Sequence, residues 1–246
     1  MIQYITSRTN SKIKELLELK DPKTRKEKGQ FLVEGFHLLE MALEANQVDL
    51  IITEKPLNLS SNIDQIVVSS EILKKFSSVM NPQGVIAVCH MEKRKVLYQD
   101  RILYLDHIQD PGNLGTLIRT AASFGFQDVI LSNNSCSPYN EKVINASQGA
   151  IFKVNLHEEE NSILGRLKEE GYQILVTYLH GAYSIEQVSI HQKVVIVLGN
   201  EARGVEESTL NYATTKVYIP MANMESLNVG VAGGILCYLA SRKVNK

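Results

Sequence analysis

The chain has 246 residues, 44% of them hydrophobic, and a net charge of −1, enough for one large core or for a small domain beside a medium one. No apolar run approaches the roughly 20 residues that a bilayer helix needs, and no apolar stretch follows a basic start as in a secretory signal. Cys89, Cys136 and Cys237 are far apart with no CxxC or Cys/His ligand spacing, which argues against structural zinc and for a reducing, cytoplasmic setting.

The total charge hides an asymmetry, because residues 1–28 carry eight Lys/Arg against four acids. Such a patch suits a phosphate backbone, although taken by itself it is better explained as a solvated helix surface. Asn10 or Ser11 can cap a first helix over 12–19, with Ile13, Leu16 and Leu17 on one face, and Asp21-Pro22 is expected to end it. A strand at 31–35, a helix over 36–45, strands at 48–53 and 66–68, a helix over 70–76 and a buried strand at 85–88 complete an alternating α/β unit. The charged break MEKRK at 91–95 is the expected linker.

A second unit begins at Arg101. A strand at 102–105 leads through a polar loop at 106–115 into a helix over 116–124 that Gly125 stops. Further strands are expected at 129–131, 174–177, 194–198 and 217–219, with helices over 140–148 and 164–170 between them. Continuous apolar strands separated by helices are the pattern of a buried, mostly parallel sheet. The last stretch, 218–242, enters a helix whose first turn is read as carrying Ser226 and Asn228. It also holds Gly230, Ala232, Gly233 and Gly234, and each glycine costs a helix about 1 kcal/mol relative to Ala. Their smallness is expected to admit a backbone, a ligand or a neighbouring helix.

In an open parallel sheet, ligands bind at the carboxyl ends of the strands. Three loops there are rich in amides, carboxylates and glycines: DHIQDPGNLG at 106–115, GNEARG at 199–204 and MANMESLN at 221–228. GNLG at 112–115 is a weak match to a KH loop, and 199–204 has the glycine spacing of a P-loop but lacks its Lys-Ser/Thr. No GxGxxG follows a strand, so a nicotinamide or flavin has no support. HEEE at 157–160 reads as an exposed acidic loop rather than a metal site, and Ser226 has no GxSxG elbow.

NLGTLIRTAASFG at 113–125, LGNEARG at 198–204, and IPM at 219–221 with ESLNV at 225–229 resemble the three motifs of the SpoU (TrmH-like) RNA 2′-O-ribose methyltransferases. The resemblance covers nearly all of 101–243. SRTNSK at 7–12 and FLVEG at 31–35 also resemble, less specifically, the L30e-like domain that many members carry. What this implies is an α/β chain with an L30e-like RNA substrate-binding domain over 1–95 and a methyltransferase domain over 96–246, its mostly parallel sheet tied in a deep trefoil knot. It implies a cytoplasmic, membrane-free homodimer through the C-terminal domain, with S-adenosylmethionine as methyl donor, no metal, and rRNA or tRNA as substrate.

The resemblance also assigns roles. Arg119 matches the arginine implicated in activating the ribose hydroxyl; a guanidinium keeps its charge, so stabilising the incipient alkoxide and holding a phosphate suit it better than proton abstraction. Asn113, Ser226 and Asn228 match positions that hold the ribose and order the loops. Glu201 matches the motif-two acid, with loop architecture, by accepting backbone N–H bonds, as its expected work. Gly199, Ile219 and Leu227 match positions whose main chain contacts the cofactor, and Thr177 and Leu179 at a strand end are expected to line it. One departure is the segment ANME at 222–225, where many relatives have a glycine and one further residue; Asn223 is expected to supply the positive φ. A non-catalytic RNA-binding or ribosome-assembly factor on the same scaffold is the competing reading.

Overall fold

Two α/β units, Met1–Arg94 and Lys95–Lys246, account for the alternating strand and helix signals. The structure, a computed structural model, describes residues 1–59, 62–79, 81–92, 98–224 and 226–242; the expected linker lies outside them from residue 93 on, as does Glu225.

The first unit opens with a strand that the sequence pattern misses, β1 (Ile2–Ile5), followed by α1 (Ser11–Leu17) and a 3-10 turn (Glu18–Lys20). Asn10 caps α1 by accepting from the Lys12 N–H at 2.9 Å. Asp21, in an extended conformation, ends this helical stretch as expected, and Asp21-Pro22 also starts another, α2 (Pro22–Lys28). The Asp21 carboxylate accepts from the Thr24 N–H at 2.9 Å, and proline at the first helical position is pre-set for the turn. Then come β2 (Gln30–Glu34), α3 (Phe36–Glu44), β3 (Val48–Thr53), β4 (Asp64–Val68), α4 (Ser70–Phe76) and β5 (Val85–His90). The sheet order is β1-β4-β3-β5-β2, antiparallel where β5 meets β3 and β2, parallel elsewhere. Part of the N-terminal basic stretch is engaged internally: Arg25 is buried and donates to the carbonyls of Leu19 and Lys20, and Lys12 and Lys28 both pair with Glu15.

The second unit runs β6 (Arg101–Leu105), α5 (Pro111–Ser123), β7 (Asp128–Leu131), α6 (Glu141–Ser147), β8 (Asn155–Glu158), α7 (Ile163–Glu169), β9 (Gln173–Thr177), β10 (Tyr183–Ser184), β11 (Val194–Leu198), α8 (Glu207–Leu210), β12 (Thr215–Tyr218) and α9 (Val229–Arg242). Its seven strands lie in the order β10-β12-β9-β11-β6-β7-β8, and neighbouring strands pair parallel throughout. Alternate residues of β6 enter two different cores: Leu103 and Leu105 face α5 and α9, while Ile102 and Tyr104 face α7. Burial on both faces is why these strands read as unbroken apolar runs. Among the described residues no helix is long and apolar enough to cross a membrane.

Three expectations are corrected. His157 is not part of an exposed acidic loop: it is buried in β8, with Nε2 at 2.9 Å from Oδ1 of fully buried Asp128. Asp128 also accepts from Asn155 Nδ2 at 2.9 Å and from the Gln99 N–H at 2.7 Å. Burial alone would raise the Asp128 pKa, but these hydrogen bonds outweigh it and hold the carboxyl below its ordinary value. Second, α5 begins at Pro111 rather than 116, because Asp110 caps it by accepting from the Asn113 N–H at 2.8 Å with proline at the first position. Third, α9 begins at Val229, which leaves Ser226 in the preceding loop and makes Asn228 the capping residue.

Of the glycines of α9, Gly233 is explained by its neighbours, whereas a Cβ on Gly234 would meet nothing within 4 Å. A Cβ on Gly233 would lie 2.3 Å from Leu117 Cδ2 and 2.9 Å from Leu198 Cδ1, so α9 rests directly on α5 and the end of β11. On the opposite side of α5, a Cβ on Gly115 would meet Ala146 Cβ at 2.5 Å and the Val143 carbonyl oxygen at 2.6 Å.

Candidate active site

β6 and β11 are adjacent, with Leu105 opposite Leu198, so the loops leaving their carboxyl ends start as neighbours. The Asp106 N–H extends the pairing by donating to the Leu198 carbonyl at 2.8 Å. After β11 the chain closes a tight loop in which the Asn200 N–H donates to the Gly204 carbonyl at 3.0 Å and the Gly204 N–H returns a bond of 2.9 Å. Only glycine fits its first position, since a Cβ on Gly199 would lie 2.2 Å from the Gly204 carbonyl carbon. Gly204 itself has φ +73°, a region that favours glycine.

The three polar loops are joined by one chain of side-chain hydrogen bonds. Glu201 Oε1 accepts from Asn113 Nδ2 at 3.0 Å, and Asn113 Oδ1 accepts from Asn228 Nδ2 at 2.9 Å. Asn228 Oδ1 then accepts from the N–H groups of Gly230 at 2.9 Å and Val231 at 3.3 Å, capping α9. A carboxylate only accepts, so Glu201 fixes which way the Asn113 amide faces, and Asn113 in turn fixes Asn228. Residues 88 and 115 positions apart in sequence are thereby held together. Asn113 and Glu201 thus join the loops, but by a side-chain bond: among the described residues the Glu201 carboxylate accepts from no backbone N–H, contrary to the expectation for it.

Beside this chain a cavity of about 530 Å³ opens at the ends of β9, β11 and β12, within the range of small-ligand sites. Thr177, Leu179, Gly199, Ile219 and Leu227 all line it, as do Ser226 and Glu201. Leu198, Val217 and Leu236 give it an apolar floor. Asn113, Asn228 and Arg119 are not on its wall. Arg119 is exposed on α5, and its guanidinium makes no hydrogen bond or ion pair among the described residues. Asn223 does not take a positive φ; among the described residues the non-glycine positions that do are Asn46, His107 and Gln148. Asn223 therefore does not supply the left-handed residue expected of it.

Sequence reasoning passed over Asp106, His107 and Asn200. Asp106 is buried, with Oδ1 at 2.8 Å from His107 Nδ1 and Oδ2 accepting from the Glu206 N–H at 2.9 Å. Asp106, His107 and Glu206 bring potential metal ligands within 4.8 Å of one another, but the Asp106 oxygens and both ring nitrogens of His107 are already engaged in hydrogen bonds. Their signal in the sequence is a polar run at a strand end, which does not separate them from their neighbours.

With this arrangement and its relatives, the class is an RNA methyltransferase. The chain belongs to the SpoU rRNA Methylase family, whose model matches residues 100–238, while residues 10–87 match an MRM3-like substrate binding domain. It is 31% identical to the 23S rRNA (guanosine(2553)-2′-O)-methyltransferase RlmP of Bacillus subtilis over 96% of this chain and 98% of that one. The crystal structure of an RNA 2′-O ribose methyltransferase, 31% identical, superposes with a TM-score of 0.82 over 98% of this chain and 99% of the other. An rRNA methyltransferase from Sinorhizobium meliloti, 24% identical, shares the fold with a TM-score of 0.90 over 100% of this chain and 99% of its own.

Proposed function

We propose that this methyltransferase modifies a ribose 2′-hydroxyl of ribosomal RNA, with S-adenosylmethionine as donor. The observation that carries the reading is the Glu201–Asn113–Asn228 chain, which ties three loops together beside a nucleoside-sized cavity. The residues present fit the cofactor: an apolar floor suits an adenine ring, and Gly199 brings the end of β11 to the cavity wall. When bound, it supplies a methyl group already activated on a sulfonium.

The chain's own residues then have to deprotonate and align a hydroxyl. Ser226 lines the cavity wall, and in this reading its hydroxyl hydrogen-bonds the ribose. Arg119 stabilises the developing alkoxide and holds an RNA phosphate; because a guanidinium stays protonated, the proton passes to another group. Asn113 and Asn228 act by fixing α5 and α9 relative to the 199–204 loop. The named reaction of the B. subtilis relative supports both the ribose position and the choice of rRNA.

The reading extends to the rest of the molecule. Residues 1–95 form an L30e-like RNA substrate-binding domain, and residues 96–246 carry a deep trefoil knot. The C-terminal domain pairs with a second copy so that each site draws on both, which gives a role to Val231 and Tyr238, 52% and 45% exposed on α9. Retention of Arg119, Ser226 and Asn228 in the sequence argues against a non-catalytic scaffold. Incubation with S-adenosylmethionine labelled on its methyl, and total RNA from cells lacking the protein, is expected to label rRNA in alkali-resistant dinucleotides. Label on bases, on tRNA alone, or on no RNA would contradict the proposal.

A further inference from the structure

The chain through Glu201 depends on where the 199–204 loop sits, and one side chain ties that loop down. Asn200 is half-buried at the carboxyl end of β11. Its Oδ1 accepts from the N–H groups of Ala202 at 3.0 Å and Arg203 at 3.1 Å, which folds the loop on itself. Its Nδ2 points the other way and donates to the carbonyl oxygen of His107 at 2.9 Å, in the loop that follows β6. An amide is the side chain that offers an acceptor and a donor back to back.

The His107 carbonyl is aimed by an uncommon backbone. His107 has φ +57°, a left-handed conformation that side chains other than glycine rarely adopt. Several bonds hold it there. The His107 N–H donates to Ser132 Oγ at 2.8 Å, Nδ1 lies 2.8 Å from Asp106 Oδ1, and Nε2 lies 2.9 Å from Asn134 Nδ2. The loops after β6, β7 and β11 therefore meet at this one residue. Strained conformations persist only where the surroundings over-determine them, and they cluster at functional sites.

We propose that Asn200 is a positioning residue for methyl transfer: it docks the 199–204 loop on the left-handed His107 carbonyl and so brings Glu201 to Asn113. This rests on the function proposed above. Asn200 touches no reacting atom in this account; it acts through Glu201.

Asn200→Asp tests it, because the variant keeps Oδ1 for Ala202 and Arg203 and sets an oxygen against the His107 carbonyl where Nδ2 donated. Two measurements are made on the full chain. Amide hydrogen exchange over 199–204 is expected to quicken about tenfold, with β6, β9 and β11 unchanged. Single-turnover methyl transfer, readable in slow variants, is expected to fall about tenfold in the wild-type background and by less than about twofold when Glu201→Ala is already present. Unchanged exchange over 199–204, or the same fold loss in both backgrounds, would overturn the proposal. If Asn200→Asp does not fold, Asn200→Ser removes the same donor and is read in the same way. Wild-type protein that transfers no methyl would refute the function reading instead, and the exchange measurement alone would then support or overturn the docking.

Discussion

Arg119 and Asn113 lie under two turns apart on α5, yet their side chains meet different fates. Asn113 is bonded on both sides of its amide, whereas Arg119 reaches solvent without a partner among the described residues. Arg119→Ala should therefore slow single-turnover methyl transfer about 100-fold or more while leaving S-adenosylmethionine affinity, measured by calorimetry, within about twofold. Equal loss of both would show that Arg119 holds the fold. Asp128 predicts a pH effect. Its carboxyl is held below the ordinary value, so it stabilises the folded state above the unfolded-state pKa, about 3.9, and that contribution is lost as pH falls through the folded value. Asp128→Asn should cost about 2 kcal/mol near pH 6, read from urea midpoints, with the gap to wild type closing below about pH 4. A gap that persisted in acid would mean the Asn155, His157 and Gln99 bonds do not depend on the charge.

At the scale of elements, α5 is the piece on which the site is assembled. It carries Asn113 and Arg119, and it is clamped between α6 and α9 through a glycine at each contact. The two glycines differ in what surrounds them. Gly115 faces a backbone oxygen and a Cβ, which cannot move aside, while Gly233 faces the tips of Leu117 and Leu198. Gly115→Ala is expected to destabilise by about 3 kcal/mol and Gly233→Ala by about 1 kcal/mol, as measured by urea denaturation. The reverse order would show that α5 packs more loosely on α6 than on α9. The glycine pattern announced a close approach in the sequence, but not which neighbour approaches. The start of α5 was legible too, in Asp110-Pro111, yet the glycines at 112 and 115 mask it as loop. His107 and Asn200 left no such trace, because their importance lies in a backbone torsion and in a contact across 93 residues.

For the whole molecule, the parallel sheet and its strand-end site were readable because burial on both faces writes itself as apolar runs. The edge strands β1, β8 and β10 were not, being short or partly polar. The basic N-terminal stretch read as a single patch, and the structure divides it, since Arg25 and Lys28 serve the first unit's own helices. The proposed pairing of C-terminal domains predicts twice the 27.5 kDa chain mass in sedimentation, and Val231→Glu with Tyr238→Glu should reduce it to one copy; a wild-type monomer active in methyl transfer would remove the second subunit from the site. The most direct measurement of the central claim is a map of 2′-O-methyl positions across the RNA of cells with and without the protein. The account predicts that a ribose in rRNA loses its methyl when the protein is absent and regains it on return of the wild type but not of Arg119→Ala. An unchanged rRNA map, with a position lost in tRNA or nowhere, would contradict it.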